Sequence, residues 1–254
     1  MGGMDHGDVP PGRGTESGAP ERAPGADDEI AVRFAQLALE LHRSEGIEET
    51  AETVVHFALQ ALHCSHAGVA LAVKGHQPEI PAVTSPIVAD VFRSQWTAAE
   101  GPLVESLRSR ATVLVADTAT EQRWSEWAAK VSAVGVRSVL DVPLTTAGET
   151  VGVLGLYSVT PDVFGPDDEA IAHLLAMHAS VAIVTVRNER NLAQAVDART
   201  MVGQAIGILM ERYGIDEDRA FAVLKRYSQH TNTKLRDIAQ QLIDTRHLPR
   251  RREG

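Results

Sequence analysis

The sequence predicts two folded modules in series. The first is an α+β domain with an antiparallel sheet flanked by helices, and the second is an all-α module of three short helices. One long helix joins them. Three observations predict this. Residues 136–144 (VRSVLDVPL) and 150–158 (TVGVLGLYS) are apolar, β-branched runs on either side of the turn TAGE, the pattern of an antiparallel hairpin. From Pro166 to Tyr213 no further proline occurs, and apolar residues recur at helical spacing. Beyond Gly214, two short amphipathic segments each follow a capping residue.

Length and composition bound the function. At 254 residues and 44% hydrophobic content the chain can hold one large or two smaller domains. No window approaches the roughly 18 apolar residues of a membrane span, and the N-terminus lacks an apolar secretory core. The single cysteine, Cys64, excludes an intrachain disulfide and a cysteine-only metal cage. The expectation is a cytoplasmic protein that spans no membrane. A net charge of -10 argues against nonspecific nucleic-acid binding by the whole molecule. The charge is uneven, however. Residues 197–254 carry 11 Lys+Arg against 8 Asp+Glu, about +3, which leaves about -13 on the rest. A basic module on an acidic body fits a localised polyanion site. Solvated helix faces and a basic tail would give the same count.

In chain order, residues 1–28 are rich in Gly, Pro and acidic residues and predict a disordered tail. Order begins at Glu29, with Ile30, Phe34, Leu37 and Leu41 on one helical face, stopped by Gly46. A second helix follows from Ile47. Residues 67–74 and 78–85 read as strands, 87–98 and 101–110 as helices, 112–117 as a strand and 123–135 as a helix ended by glycine. These elements and the hairpin make up a domain over residues 29–184.

The long helix carries a seam of alternating three- and four-residue steps: Ile171, Leu174, His178, Val181, Thr185, Asn188, Leu192, Ala195, Arg199, Val202, Ile206 and Leu209. That is a heptad register with polar intrusions. Uninterrupted, the helix would be roughly 65 Å long at ~1.5 Å per residue, and a single domain cannot bury such a rod. Pairing with a second copy through residues 166–196, as a parallel homodimer, is the expectation. A break near Asn188–Asn191 would leave two helices instead. After Gly214, Asp216 is placed to cap a helix from Glu217 to about His230. Thr231 or Thr233 is placed to cap a third, Leu235 to Thr245. Residues 247–254 form a basic tail.

Residues 203–215 (GQAIGILMERYGI) and 219–243 (RAFAVLKRYSQHTNTKLRDIAQQLI) closely resemble the ANTAR domain, a three-helix RNA-binding module of bacterial transcription antiterminators. The resemblance covers 197–246 nearly completely. Upstream, residues 31–184 resemble a GAF domain, best over 124–183. Together they imply a GAF–ANTAR regulator. In it a dimer clamps paired hairpins of a leader RNA, keeps a terminator hairpin from forming and answers to a sensory domain. RNA readers of this kind contact splayed loop bases, because the A-form major groove is too narrow for side chains. The residues suited to this are Arg199, Arg226, Lys234 and Arg236, for phosphate contact or base stacking. Gln204 and Asn232 suit base edges, and Ser228 and Gln229 are secondary candidates. Tyr227 could stack on a base, although its phase suits the core. Many ANTAR domains have lysine where this chain has Ile206. Gly203 and Gly207 each cost a helix about 1 kcal/mol against alanine, which implies close approach of another helix or of RNA backbone. Two readings from other classes stay open: a DNA-binding helix-turn-helix, and a small-molecule sensor that signals through protein contacts alone.

No catalytic constellation is present, so the chain reads as a non-enzyme, with no cofactor and no metal site assigned. His63, Cys64 and His66 lack a second pair at ligand spacing. His173 and His178 read as ordinary polar positions, with nothing to support haem ligation. Residues 152–155 (GVLG) lack the Lys-Ser/Thr of a phosphate loop, and Asp167 and Asp168 fit the charge of a helix N-terminus. The GAF resemblance implies a cup for an unidentified small molecule. Trp124 and Trp127, three apart on one helix, with Arg137, Asp141 and Tyr157 on the hairpin, are its candidate lining.

Overall fold

A computed structural model of the chain describes residues 26–73, 75–147 and 149–248. The N-terminal tail up to residue 25 and the basic tail from Pro249 lie outside the described residues. Helix α1 spans Ala26–Arg43, three residues earlier than the sequence pattern begins, and α2 spans Ile47–Ala61. Strands β1 (His66–Leu71) and β2 (Glu79–Val83) follow, then helices α3 (Pro86–Ala98) and α4 (Pro102–Ser109), strand β3 (Val113–Val115) and helix α5 (Ser125–Ala133). The hairpin is β4 (Ser138–Thr146) and β5 (Glu149–Ser158). The helices are α6 (Pro166–Tyr213), α7 (Glu217–Thr231) and α8 (Leu235–Thr245).

The five strands form one antiparallel sheet in the order β2-β1-β5-β4-β3. Its two faces separate by the period of two. Leu140, Val142, Leu154 and Leu156 face one way, into a core closed by α1, α2 and the start of α6. Val139, Val153 and Tyr157 face the other way, into a smaller core roofed by α3, α4 and α5. The sheet is therefore buried on both sides, which is why its strands read as near-continuous apolar runs.

Helix α6 runs 48 residues without interruption, about 72 Å at ~1.5 Å per residue. There is no break at Asn188–Asn191, because nothing in that stretch removes a backbone donor. The helix passes through three environments. Ala172, Leu175, Ala179 and Ile183 are buried against the sheet domain. Every residue from Asn188 to Asp197 is exposed. Ala205, Ile206 and Leu209 are then buried with Ala220, Leu224, Ile238, Ala239 and Leu242, forming a second core.

This partition corrects the seam. Ile206 and Leu209 belong to the core of their own three-helix module. Between them and the sheet domain, Val181, Leu192 and the neighbouring Val196 stand 59%, 68% and 57% exposed. Periodicity identified an apolar face correctly but could not say what covers each part of it. Among the described residues α6 also has the length and apolarity to cross a membrane, with an 18-residue window of mean hydropathy 1.6. Alanine and valine raise that mean without forming an unbroken apolar run, and 39% of the window is buried against the rest of the chain.

Helix α7 starts as expected, with the Asp216 carboxylate accepting from the Arg219 N–H at 2.8 Å. Helix α8 does not. Its N-cap is Lys234, whose side chain makes no cap hydrogen bond. The two threonines are spent in the turn, where Thr231 donates to the Tyr227 carbonyl and Thr233 to the Thr231 carbonyl.

Candidate functional site

At the C-terminal end of the chain, packing direction decides which side chains meet. The Arg212 guanidinium, at the end of α6, donates to the Arg246 carbonyl at the end of α8. The C-terminal ends of these two helices therefore meet, and α7 follows α6 after the short turn at Gly214, which holds φ +59°. The 11 residues of α8 span about 16 Å at ~1.5 Å per residue. Leu235 and Met201 both pack on the same core.

The predicted polar residues divide at this end. Arg199, Gln204, Arg226, Gln229, Asn232 and Lys234 are exposed, and among the described residues neither Arg199, Arg226 nor Lys234 forms an ion pair. Arg236 is exposed but lies 3.3 Å from the Asp237 carboxylate. Ser228 is half-buried, and its hydroxyl donates to the Thr233 carbonyl at 2.7 Å, so it shapes the turn. Asn232 holds φ +50° as the C-cap of α7, a conformation that asparagine tolerates better than most residues. Tyr227 is half-buried against the module core. Gly203 and Gly207 are exposed, and a Cβ built on either would meet nothing within 4 Å. Among the described residues nothing of this chain approaches either glycine, so the close neighbour they imply is not one of its own helices.

The sheet domain holds a second unusual site, on the face roofed by α3, α4 and α5. One row of paired residues crosses the sheet as Val83, Gly68, Gly155, Asp141 and Val113. Two adjacent glycines leave its centre without side chains. A Cβ on Gly155 would lie 2.7 Å from the Tyr157 hydroxyl, 2.9 Å from Asp141 Oδ1 and 3.0 Å from Phe92 Cε1. The Asp141 carboxyl and the Tyr157 hydroxyl therefore converge over that bare floor, under the Phe92 ring. Both residues are fully buried. Among the described residues, both Asp141 oxygens and the Tyr157 hydroxyl have no hydrogen-bond partner. Burial drives the Asp141 carboxyl well above the usual carboxylate range. The Tyr157 hydroxyl is likewise raised, by burial and by the neighbouring Asp141.

The roof supplies three more orphaned polar atoms: Gln95 Nε2 from α3, Ser106 Oγ from α4 and Trp127 Nε1 from α5. Gln95 is anchored by its other atom, since Oε1 accepts from the Leu103 N–H at 2.8 Å. That bond fixes the amide orientation and leaves the NH2 free. Of the expected lining, Trp127, Asp141 and Tyr157 lie in this core. Trp124 is half-buried at its edge, edge-on to Trp127 and under the Arg123 guanidinium. Arg137 is committed elsewhere: its guanidinium clamps the Asp117 carboxylate at 2.8 and 3.0 Å, holding Asp117 below its ordinary range. Gln95 and Ser106 escaped the sequence reading. Their only signal is a polar residue on an otherwise apolar helix stripe, as at Val88, Val91, Phe92 and Gln95.

The remaining candidates are structural. Asp168 accepts from the Gly165 N–H at 3.1 Å and lies 2.9 Å from His63 Nδ1, tying the α2–β1 junction to the start of α6. Partial burial works to raise its carboxyl, but hydrogen bonds from Gly165 and His63 hold it low. Burial pushes the Cys64 thiol up to about 12, so it is not a reactive thiolate. Among the described residues no group of three His, Cys, Asp or Glu side chains is placed to hold a metal. His173 Nε2 lies 2.5 Å from the Thr112 hydroxyl, and His178 stacks on Phe34.

A double-faced sheet domain with an orphaned polar core thus feeds one helix into a separate three-helix module. Residues 44–184, more than half of the chain, match the GAF domain family, and residues 190–243 match the ANTAR domain. The chain belongs to the GAF domain family and has a GAF–ANTAR architecture. Among solved structures, the fold is similar to the GAF domain of a phosphoenolpyruvate-protein phosphotransferase from Coxiella burnetii, at 16% identity and TM-score 0.52, over 66% of this chain and 99% of that one. Free methionine-R-sulfoxide reductase from Neisseria meningitidis, in complex with its substrate, matches at 16% identity and TM-score 0.51, over 65% and 96%. The Stigmatella aurantiaca phytochrome photosensory core module matches at 12% identity and TM-score 0.55, over 83% of this chain and 46% of that one. No curated protein matches the chain.

Proposed function

We propose that this GAF–ANTAR protein is a dimeric, cytoplasmic, non-catalytic regulator of transcription antitermination. Its C-terminal module binds paired hairpins of a leader RNA, and its GAF domain senses a small molecule. One observation carries the RNA reading. The three-helix module exposes polar side chains on α6, α7 and the α7–α8 turn, and among the described residues Arg199, Arg226 and Lys234 form no ion pair with a carboxylate. Gly203 and Gly207 add an open helix face on the same stretch of α6, where a phosphate backbone can come close. Dimerisation is supported by the exposed apolar residues Leu174, Met177, Val181 and Leu192 on α6, beside Val32 and Leu39 on α1.

The test is a titration of purified full-length protein with a two-hairpin leader RNA and with duplex DNA of matching sequence, at fixed salt. Tighter binding to the duplex would overturn the RNA reading. Arg226→Ala and Lys234→Ala are each expected to weaken RNA binding by roughly three- to tenfold and to reduce the salt slope by about one counterion or less, with unchanged helicity. Sedimentation is expected to give a dimer at micromolar concentration; a monomer there would remove the paired-hairpin geometry.

A further inference from the structure

One exposed band follows helix α6 over most of its length. At about 100° per residue, Leu174, Val181, Leu192, Val196, Gly203 and Met210 fall within a sector about 80° wide, and all six are exposed. The sector is about 54 Å long at ~1.5 Å per residue. Its polar members are Thr185, Asn188 and Arg199, also exposed. Thr185 spends its hydroxyl on the Val181 carbonyl at 2.9 Å. Between Leu174 and Met210, Arg199 is the only Lys, Arg, Asp or Glu in the sector. It is isolated along its own helix as well. The residues three and four away, Ala195, Val196, Val202 and Gly203, carry no charge, and Asp197 lies about 160° round the helix. Among the described residues Arg199 forms no ion pair.

The shape of the molecule limits what can cover this band. Every residue from Asn188 to Asp197 is exposed, so nothing of this chain lies along its middle. The sheet domain packs on one end of α6 and the module core on the other. A neighbour that follows the band past both must be a rod with a body at each end. A second α6 laid parallel meets that demand and brings the same apolar band, and two-fold symmetry then sets each band residue opposite its own copy. We propose that in this dimer the two Arg199 side chains face each other across the axis and together hold one phosphate group of the bound RNA. This rests on the dimeric RNA-binding reading above and adds how its two halves are coupled. Without RNA the two guanidiniums repel, and the band offers no carboxylate from either copy. A bridging phosphate reverses the sign of that contact, since each guanidinium can donate two parallel N–H bonds to it. One copy alone supplies only half of the site. Gly203, one turn further along, leaves room for a sugar–phosphate chain, because a Cβ there would meet nothing within 4 Å. RNA and the second copy therefore strengthen each other's binding by the same factor.

The experiment is sedimentation equilibrium of the full-length protein, with and without the two-hairpin leader RNA, for wild type, Arg199→Leu and Arg226→Ala. Without RNA, Arg199→Leu is expected to dimerise roughly three- to tenfold more tightly than wild type, through relief of one like-charge contact. It is also expected to bind RNA roughly tenfold more weakly. RNA is expected to tighten the wild-type dimer roughly tenfold and the Arg199→Leu dimer by clearly less. Arg226→Ala is expected to weaken RNA binding and leave the RNA-free dimer unchanged. Oxidised Arg199→Cys is expected to form a disulfide-linked dimer, and Asp197→Cys, on the opposite face, is not. Cys64, its thiol pushed up to about 12 by burial, stays out of that reaction. The assignment is overturned if Arg199→Leu dimerises no more tightly than wild type, if it dimerises more tightly yet binds RNA equally well, or if Asp197→Cys cross-links in preference to Arg199→Cys. A wild-type dimer that binds RNA, with Arg199→Leu indistinguishable from it, sinks this site alone. A wild type that stays monomeric with RNA, or that binds no RNA, sinks the dimeric RNA-binding reading and this site with it.

Discussion

Asp141 is the residue whose environment departs furthest from what its chemistry prefers. It is a carboxyl inside a low-dielectric core without a donor or a cation among the described residues. Its value in the folded chain is raised above the unfolded value of about 3.9. The protonated form therefore contributes stability that is fully present below about pH 4 and is lost as pH rises through the raised folded value. Asparagine keeps the shape and cannot ionise. Asp141→Asn is expected to melt close to wild type in acid and progressively above it as pH rises, by about 2–4 °C for each kcal/mol relieved. Melting curves between pH 4 and 9 check this, and a variant that is less stable at every pH would show that Asp141 has a native partner. Three of the five residues with orphaned atoms in this core, Asp141, Tyr157 and Trp127, were visible in the sequence as polar or amphipathic residues on a predicted hairpin and helix. Gln95 and Ser106 were not, because one polar residue in an apolar stripe looks the same whether it meets solvent, backbone or a buried carboxyl. The packing of α3, α4 and α5 on one shared core is a tertiary fact.

At the scale of elements, the C-terminal helices show how far pattern reading reaches. The cap at Asp216 and the stop at Gly214 were legible, since capping chemistry is local. The cap of α8 was misplaced because Thr231 and Thr233 use their hydroxyls within the turn. The two glycines of α6 imply close approach of another helix or of RNA backbone, and within this chain they face open space. Gly203→Ala and Gly207→Ala are therefore each expected to stabilise the isolated three-helix stretch by up to about 1 kcal/mol, through helix propensity alone. If RNA backbone lies against that face, the same substitutions weaken RNA binding. Denaturant melts paired with RNA titrations check both halves. Stabilisation with undiminished affinity would leave the glycines without a role in recognition.

At the scale of the molecule, the continuity of α6 joins two cores that share no other covalent path. Its first part is clamped to the sheet domain, with Asp168 held by Gly165 and approached by His63. Its last part is one wall of the module core. The uninterrupted helix was legible because no proline or cap divides it. The division of its seam was not, because a heptad pattern does not distinguish an intramolecular neighbour from a second copy.

The ten exposed residues from Asn188 to Asp197 act as a shaft whose length is also an angle. A straight α-helix turns about 100° and rises about 1.5 Å per residue. Inserting residues there lengthens the molecule and rotates one end against the other. Seven added residues return the output end to within about 20° of its original facing, while five leave it turned by roughly 140°. In a two-fold dimer each output face turns about its own helix, so the paired sites face together or apart according to insert length modulo the helical repeat. A seven-residue insertion is expected to retain most of the affinity for a two-hairpin RNA and a five-residue insertion to lose it, while both keep the affinity for a single hairpin. Equal binding by both insertions would mean that the shaft transmits position without phase.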